Sequence, residues 1–288
     1  MTRAPAVTRR AERLLGTSVV ATAPVAGGDI ATATKLRLAD GSTALMKTMA
    51  NAPAGFFPAE AASLRWLSGI ESGAAVPPVL AAEEDCVILR WIEHGRPATE
   101  GADAFGRALA ATHAHGPAIF GLETDGFIGR LPMRNTTKAT WAEFYAVNRV
   151  LPYLKVASDR GAITPAGVAA VEALVGRLPS LLPVEPPARL HGDLWNGNVV
   201  WDTDGRAWLV DPAAYAGHRE MDLAMMSLFG LPNLARVIAA YHEATPLAEG
   251  WEERVGIHQI FPLLVHACLF GGGYGARAAS VAAAFTRV

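Results

Sequence analysis

The sequence predicts a bilobal α+β fold: a small antiparallel sheet with one helix, followed by a larger, mainly helical part that carries a β-hairpin. Strand patterns fill the first third, near 18–25, 32–38, 43–49, 78–82 and 85–92, where apolar and β-branched residues lie between turn signals. Helical spacing of apolar residues fills the remainder, near 105–115, 140–156, 164–178, 219–229, 232–243 and 252–270. The Gly- and Pro-bearing stretch 93–97 separates the two, so we divide the chain into an N-lobe, 1–93, and a C-lobe, 94–288.

Two helices belong to the strand-rich part. A short amphipathic helix is predicted for 5–15, ahead of the first strand. A second is predicted for 58–70, because Pro58 suits the first turn of a helix and the residues that follow show helical spacing. This second helix connects the third predicted strand to the last two.

Composition and charge exclude several classes of protein. The 288 residues are 51% hydrophobic, enough for a sizeable core, and the net charge of −2 without a long basic run argues against a nucleic-acid partner. The most apolar stretch, 260–270, is shorter than the ~20 residues that a membrane span needs. Cys86 and Cys268 lie far apart in apolar runs, which favours a reduced protein. We expect a cytoplasmic monomer with neither a nucleic-acid nor a membrane partner.

The stretch HGDLWNGN at 191–198, followed by Asp211, carries the clearest chemical signal. Asp193 precedes Asn198 by five residues, which is the spacing of the catalytic loop of kinases. In that loop the Asp accepts the proton of the attacking hydroxyl, the Asn holds a Mg²⁺, and a second Asp supplies another metal ligand. We therefore predict a phosphotransferase that uses ATP, with Asp193 as the catalytic base and Asn198 and Asp211 as the Mg²⁺ ligands.

The segment between Asn198 and Asp211 has the pattern of a β-hairpin around the turn signal at 202–205. With a two-residue loop at Asp204 and Gly205, the numbers of paired residues sum to 409, so Asn198 would lie opposite Asp211. Their Cβ atoms would then be roughly 5 Å apart, close enough to share a metal cluster. A longer loop would shift this register.

Lys47 lies on the apolar face of the strand 43–49, where an unpaired charge would be costly. Glu60 lies on the inward stripe of the following helix and is a suitable partner. We predict that they form the Lys–Glu pair that positions ATP phosphates in kinases. The competing interpretation is that Lys47 reaches solvent from a sheet edge and Glu60 only favours the helix N-terminus.

Two further segments are predicted to contact ATP. A turn between the first two strands contains glycines that permit close approach of the backbone to phosphate, although an ordinary turn would look the same: Gly27, Gly28 and Asp29. The end of the last strand leads into the 93–97 stretch, where the backbone of a kinase binds adenine: Arg90, Trp91 and Ile92.

These motifs together resemble the fructosamine kinase (ketosamine 3-kinase) family, relatives of the aminoglycoside and choline kinases with a protein-kinase-like fold. The resemblance rests on HGDLWNGN at 191–198, DPAAY at 211–215, GHREMDLAM at 217–225, and shorter stretches at 120–129, 228–230 and 269–274. It extends from Gly27 almost to the C-terminus. Trp195 separates the chain from the aminoglycoside kinases. The resemblance implies ATP-dependent phosphorylation of a ketosamine, free or on a glycated protein, at its sugar 3-hydroxyl, with release of the amine (deglycation).

The acceptor contacts are predicted more loosely. Trp195 follows the base and could stack on the sugar face, while His266 and Tyr274 are further candidates; His266 could equally be a core histidine. His191 is interpreted as a buried hydrogen-bonding histidine. Asp222 is interpreted as a support that accepts backbone hydrogen bonds from the catalytic loop.

Other functions stay open at this point. The chain has no Asp-Phe-Gly or Ala-Pro-Glu motif, which argues against a regulated protein kinase. Asp29 stands where many eukaryotic members of the family carry Cys, so no redox-controlled dimer is expected. The alternatives are a kinase of another amino sugar or amino alcohol, a nucleotide-binding pseudokinase, and a metal-dependent hydrolase using His191, Asp193, Asp211 and His218. No local metal-site spacing supports the last.

Overall fold

The computed structural model describes residues 6–26 and 30–286. Its first part contains a five-stranded, fully antiparallel sheet in the order β1-β2-β3-β5-β4. The strands are Val19–Val25 (β1), Thr32–Leu38 (β2), Thr43–Thr48 (β3), Val79–Glu83 (β4) and Cys86–Arg90 (β5). The two helices of this part are Ala6–Leu15 (α1) and Phe56–Leu67 (α2). The predicted small antiparallel sheet is confirmed.

Helices cover both faces of this sheet. Cys86 and Ile88 of β5 belong to the apolar cluster beneath α1, whereas Val87 and Leu89 belong to the cluster that contains α2. The first four residues of β5 are therefore buried, and the strand is a continuous apolar run with no alternation. This arrangement fixes β3, the neighbour of β5, and with it Lys47.

The second part is mainly helical. Its helices are Thr99–Ala114 (α3), Trp141–Phe144 (α4), Leu151–Asp159 (α5), Pro165–Leu181 (α6), Glu220–Phe229 (α7), Leu234–Ala244 (α8), Trp251–Phe270 (α9) and Tyr274–Ala284 (α10). Its short strands form three antiparallel pairs: Gly126–Ile128 (β6) with Leu131–Met133 (β7), Ala188–Leu190 (β8) with Tyr215–Gly217 (β11), and Val199–Trp201 (β9) with Ala207–Leu209 (β10). The predicted α+β class is confirmed.

The two parts share a hydrophobic core. One cluster joins Phe57 and Leu64 of α2 to Phe105 and Leu109 of α3 and to Trp201 of β9. The backbone also connects them, since the Gly95 N–H donates to the Trp201 carbonyl at 2.7 Å. A division of the chain at 93/94 remains a prediction. Within the described ranges, no helix combines the length and apolar character needed to cross a membrane.

The predicted register of the β9–β10 hairpin is wrong by one residue. Paired residues sum to 408, with Val199 opposite Leu209, so Asn198 is bonded to Val210 and not aligned with Asp211. The cause is a three-residue loop, 203–205, closed by Asp202 and ending in Gly205 at φ 77°. The Asp202 carboxylate accepts the N–H groups of residues 204 and 206, which stabilises this longer loop.

The predicted continuous helix 140–156 is also corrected. Between α4 and α5 the chain forms a π-helix, Tyr145–Val150. Pro152 has no N–H and cannot donate to the carbonyl of residue 148, as an α-helix would require. That carbonyl accepts a hydrogen bond from the guanidinium of Arg149 at 3.2 Å. The proline thus explains why the regular helix is interrupted here.

Three features were not predicted. The pairs β6–β7 and β8–β11 consist of three-residue strands, too short to show alternation. No bounds were predicted for helix α10, although alanine-rich stretches such as this one are typical of helices. The other predicted helices and strands occur with ends displaced by a few residues.

Candidate active site

A cleft of about 1250 Å³ lies between the sheet and the helical part. Most of the predicted site residues line it: Lys47, Glu60, Arg90, Trp91, Ile92, Asp193, Trp195, Asn198, Asp211, His266 and Tyr274. His191 and Asp222 are buried at 1% exposure and do not line the cleft. Gly27, Gly28 and Asp29 lie outside the described residues.

Lys47 is the electrostatic centre of the cleft. Its ammonium donates to Glu60 Oε1 on α2 at 2.8 Å and to Asp211 Oδ1 at 2.7 Å. Burial alone would lower the pKa of Lys47, but the two carboxylates outweigh it and hold the pKa above its usual range. The ammonium therefore stays charged, and it connects the sheet, α2 and the segment after β10. The contact with Asp211 was not anticipated from the sequence.

The loop after β8 is held from below by Asp222. Its carboxylate accepts the N–H groups of His191 at 2.8 Å and Gly192 at 2.9 Å. It also lies 3.1 Å from Nε2 of His113, a partner that the sequence did not suggest. Burial opposes ionisation of Asp222, yet contacts with His113, His191 and the loop amides lower its pKa overall.

His191 ties this loop to the end of β10. Its Nε2 lies 2.9 Å from the Val210 carbonyl, which can only accept, so this nitrogen carries the proton. The other ring nitrogen, Nδ1, accepts the N–H of Asp193 at 3.3 Å. Burial lowers the pKa of His191, which keeps the ring neutral. The ring bridges Asp193 and the residue before Asp211.

Asp193 is oriented by Asn198. The amide nitrogen of Asn198 donates to the Asp193 carbonyl at 2.7 Å and to its carboxylate Oδ2 at 2.9 Å. Burial raises the pKa of Asp193 to about 7; the bond from Asn198 opposes this rise, and the charges of Asp211 and Asp222 add to it. A carboxyl group with a pKa near neutrality can exchange a proton readily at physiological pH.

Asp211 has an unusual backbone. Its φ is 54°, in the left-handed region that few non-glycine residues adopt, directly after the last paired residues of the hairpin. Such conformations persist where surrounding contacts hold them, and they are frequent at functional sites. Here the contact is Lys47, which fixes Oδ1, while the side chain stays 45% exposed to the cleft.

Aromatic rings line another wall of the cleft. Trp195 lies 6.1 Å from Phe229, which stacks on His266 at 4.4 Å, and His266 lies 5.1 Å from Tyr274. The Trp195 ring also covers Gly197, where a Cβ would come within 2.5 Å of the indole. The Trp and Gly of HGDLWNGN are therefore sterically linked.

His266 is half-buried, with Nδ1 2.8 Å from the Pro262 carbonyl. Because that carbonyl only accepts, Nδ1 carries the proton and Nε2 remains an acceptor. Burial lowers the pKa of His266, so the ring is neutral at physiological pH. The His266 side chain thus makes a hydrogen bond within the core through Nδ1 and also lines the cleft.

The segment 90–92 also lines the cleft. The Arg90 N–H donates to the Pro78 carbonyl and the Trp91 N–H to the Thr43 carbonyl. The Trp91 ring stacks on His94 at 5.1 Å. Both N–H groups are thus used within the protein.

The residues considered for a hydrolase do not assemble. His218 does not line the cleft but lies in the C-lobe core with Glu220 and His258. This buried trio has ligand-like spacing. However, Nδ1 of His218 accepts the Glu220 N–H, and Nε2 of His258 accepts from Trp141. The remaining ring nitrogens therefore carry protons and lie 3.5 Å and 3.4 Å from carboxylates, so neither ring offers a free lone pair to a metal.

Comparison with known proteins agrees with this geometry. The fructosamine kinase family model matches residues 4–287. A Thermus thermophilus protein named Probable ketoamine kinase is 37% identical over 253 residues, which are 87% of this chain and 88% of that protein. The crystal structure of a Thermobifida fusca protein, described as a candidate fructosamine-3-kinase, has a TM-score of 0.93 at 46% identity and covers 98% and 99% of the two chains.

A more distant structure shows the fold alone. An aminoglycoside phosphotransferase solved with ADP has a TM-score of 0.62 at 13% identity and covers 97% of this chain and 98% of its own. The protein-kinase-like architecture predicted from the sequence is therefore confirmed. Because the family model matches nearly the whole length and a relative is 37% identical over 87% of the chain, the chain belongs to the fructosamine kinase family.

Proposed function

We propose that this protein is an ATP-dependent kinase that phosphorylates the sugar 3-hydroxyl of ketosamines, fructosamines or ribulosamines, and so promotes release of the amine. The observation that carries the proposal is the Lys47 ammonium, held by Glu60 and Asp211 in a cleft that also contains Asp193 and Asn198. Membership of the fructosamine kinase family supports the acceptor class.

Lys47 is assigned to the phosphates of ATP. It is a charged donor with three N–H groups, two of which contact carboxylates, so the third is available for a phosphate oxygen. Glu60 and Asp211 hold the ammonium in one position, so the lysine side chain does not have to be ordered from many rotamers when ATP binds. This pre-organisation is the way kinases use such a pair.

Asp193 is assigned as the base that accepts the proton of the 3-hydroxyl. Asn198 holds its Oδ2, which leaves Oδ1 to face the acceptor. The hydroxyl oxygen can then attack the γ-phosphorus while its proton moves to the carboxylate; the bond from the γ-phosphorus to the β–γ bridging oxygen breaks, and ADP leaves. His191 and Asp222 hold the backbone on either side of this group and do not touch the acceptor.

The remaining donors fit Mg²⁺. The amide nitrogen of Asn198 is used by Asp193, so its Oδ1 points elsewhere, and Asp211 Oδ2 is not the atom bound by Lys47. Mg²⁺ usually binds only a few oxygen ligands of a protein, and water and phosphate oxygens complete its coordination shell. When bound, Mg²⁺ would neutralise charge on the phosphate oxygens.

The adenine end is assigned to the segment 90–92. Because the N–H groups of Arg90 and Trp91 are already bonded, we assign the adenine contact to the Ile92 N–H and the neighbouring carbonyls. The aromatic wall of Trp195, His266 and Tyr274 is assigned to the acceptor. We keep a cytoplasmic location as part of the proposal, supported by the two free, buried cysteines.

The test is a coupled ADP-release assay with Mg·ATP and either fructosyl-lysine or ribulosyl-lysine, with an aminoglycoside alongside. We expect turnover with a ketosamine and its loss in Asp193→Asn, which should still bind ATP. Asp159→Asn, an exposed aspartate on α5, is the matched control and should retain wild-type activity. Turnover with the aminoglycoside only would reassign the acceptor, and ATP binding without turnover on any acceptor would favour a pseudokinase.

A further inference from the structure

Among the residues that the structure describes, Arg149 is the largest fully buried side chain, with 0% exposure. Across the described part of the chain, no carboxylate lies within ion-pair distance of it. Its guanidinium instead donates to the Arg134 carbonyl at 2.5 Å and to Asn135 Oδ1 at 2.6 Å, and it lies 3.8 Å above the Tyr215 ring. A buried charge without a counter-charge is costly. Such a residue is therefore expected to have a specific task.

The π-helix explains how Arg149 reaches its partners. Asn148 and Arg149 are consecutive, yet both bond the same neighbouring segment: Asn148 Nδ2 donates to the Thr136 carbonyl at 2.7 Å and Arg149 to the Arg134 carbonyl. Single-turn π-helices are frequent at functional sites. Arg149 and Asn148 therefore hold the segment 134–136 through the carbonyl groups that precede and follow Asn135.

Asn135, which this segment contains, is in turn hydrogen-bonded to a loop that lines the cleft. We call residues 121–126 the acceptor loop. The Asn135 amide donates to the Thr124 carbonyl at 3.0 Å, its backbone N–H donates to Asp125 Oδ1 at 2.8 Å, and its carbonyl accepts the Leu122 N–H at 2.9 Å. Asn135 is 1% exposed and so bonds the loop at three places, while Arg149 sets the orientation of its amide.

The acceptor loop is part of the cleft wall and is bonded to the strand pair that leads into the loop of Asp193. Residues 121–126 all line the cleft, and the Gly121 N–H donates to Ala216 of β11, the partner strand of β8 that leads into the catalytic loop. The loop continues into the β6–β7 hairpin, where a Cβ on Gly129 would come within 2.9 Å of Leu269. Leu269 is one helical turn from His266, so the loop and the aromatic wall border the same space.

We propose that Asn135 and Arg149 are positioning residues that determine how tightly the enzyme binds its acceptor, which rests on the proposed function. Arg149 holds the Asn135 amide, and Asn135 holds the acceptor loop against the space that the ketosamine fills. Neither residue contacts the segment 90–92 or Lys47, so ATP binding does not depend on them. Their effect is on the acceptor KM.

The test compares Asn135→Asp with Val237→Ala. Asn135→Asp keeps the shape and an oxygen for Arg149 but places an oxygen against the Thr124 carbonyl, in place of the N–H donor. We expect the acceptor KM to rise about tenfold while the ATP KM stays within about twofold. Val237→Ala removes buried apolar contacts of α8, in a different hydrophobic cluster from Asn135, and should leave both KM values within about twofold despite lower stability.

A second variant protects the test against a folding failure. Arg149→Lys keeps the buried charge but cannot reach the Arg134 carbonyl and the Asn135 amide together, and the same separation of the two KM values is expected. The proposal is overturned by an unchanged acceptor KM in both variants, or by equal rises of both KM values, which a general structural defect would give. Absence of ketosamine turnover in the wild-type enzyme would instead refute the proposed function.

Discussion

Replacing Asp222 by Asn should destabilise both the whole protein and the loop 191–193 that its carboxylate holds. Oδ2 of Asp222 faces the His191 N–H and His113 Nε2, while Oδ1 accepts the Gly192 N–H. An amide has one acceptor oxygen, so at least one buried donor loses its partner in either orientation. An unsatisfied buried donor costs about 1–3 kcal/mol, and the surviving bonds lose their charge assistance. We expect a loss of about 2–4 kcal/mol in the free energy of unfolding.

The measurement is urea unfolding followed by tryptophan fluorescence at neutral pH, with kcat determined on the same preparations. Since Gly192 adjoins Asp193, displacement of the loop should lower kcat by about a hundredfold. Asp159→Asn removes an exposed carboxylate paired only with Lys155 and should change the unfolding free energy by less than about 0.5 kcal/mol. A stability of Asp222→Asn within that same margin of the wild type would refute the reasoning.

Three other changes have defined outcomes. Gly192→Ala places a methyl group against a backbone carbonyl at φ 82° and should reduce stability by about 2–5 kcal/mol, whereas Gly176→Ala, with open space around its Cβ in α6, should be neutral or stabilising in the same unfolding assay. Glu60→Gln removes one of the two carboxylates on Lys47 and should raise the ATP KM about tenfold; an unchanged value would contradict the role of the pair. Burial lowers the pKa of His218 to about 4. The neutral, buried His218 therefore contributes its full share of the free energy of unfolding above pH ~6.5. This share, up to about 3 kcal/mol, is lost as the pH falls towards 4. His218→Gln should therefore flatten the dependence of the unfolding free energy on pH between these two values.

Local sequence patterns predicted residues that the structure brings together in one cleft, because each belongs to a short-range pattern. Asp193 and Asn198 occupy one loop, and Lys47 occupies a strand whose apolar face leaves little choice of partner. The α+β class likewise follows from local periodicity. These signals do not need knowledge of distant parts of the chain.

The errors arose where tertiary contacts decided the outcome. The hairpin register depended on Asp202 closing a three-residue loop, a side-chain effect that a strand pattern does not reveal. The interruption of helix 140–156 could have been suspected from Pro152. The hydrogen-bond partners of the Arg149 side chain could not, because they lie in another segment of the chain. The bond between Lys47 and Asp211 joins residues 164 positions apart, and no spacing rule reaches that far.

The bond between Asn198 and Asp193 makes two properties of the proposed enzyme inseparable. An aspartate at 198 would be the stronger ligand for a divalent cation, but its second oxygen would replace the N–H group that now faces the Asp193 carboxylate. Two facing carboxylates repel each other, and one of them then tends to hold a proton. A proton already held on Asp193 would prevent this carboxylate from accepting the proton of the acceptor hydroxyl. Tighter metal binding at this position would therefore weaken the base. A neutral amide, donating on one side and offering oxygen on the other, avoids that conflict.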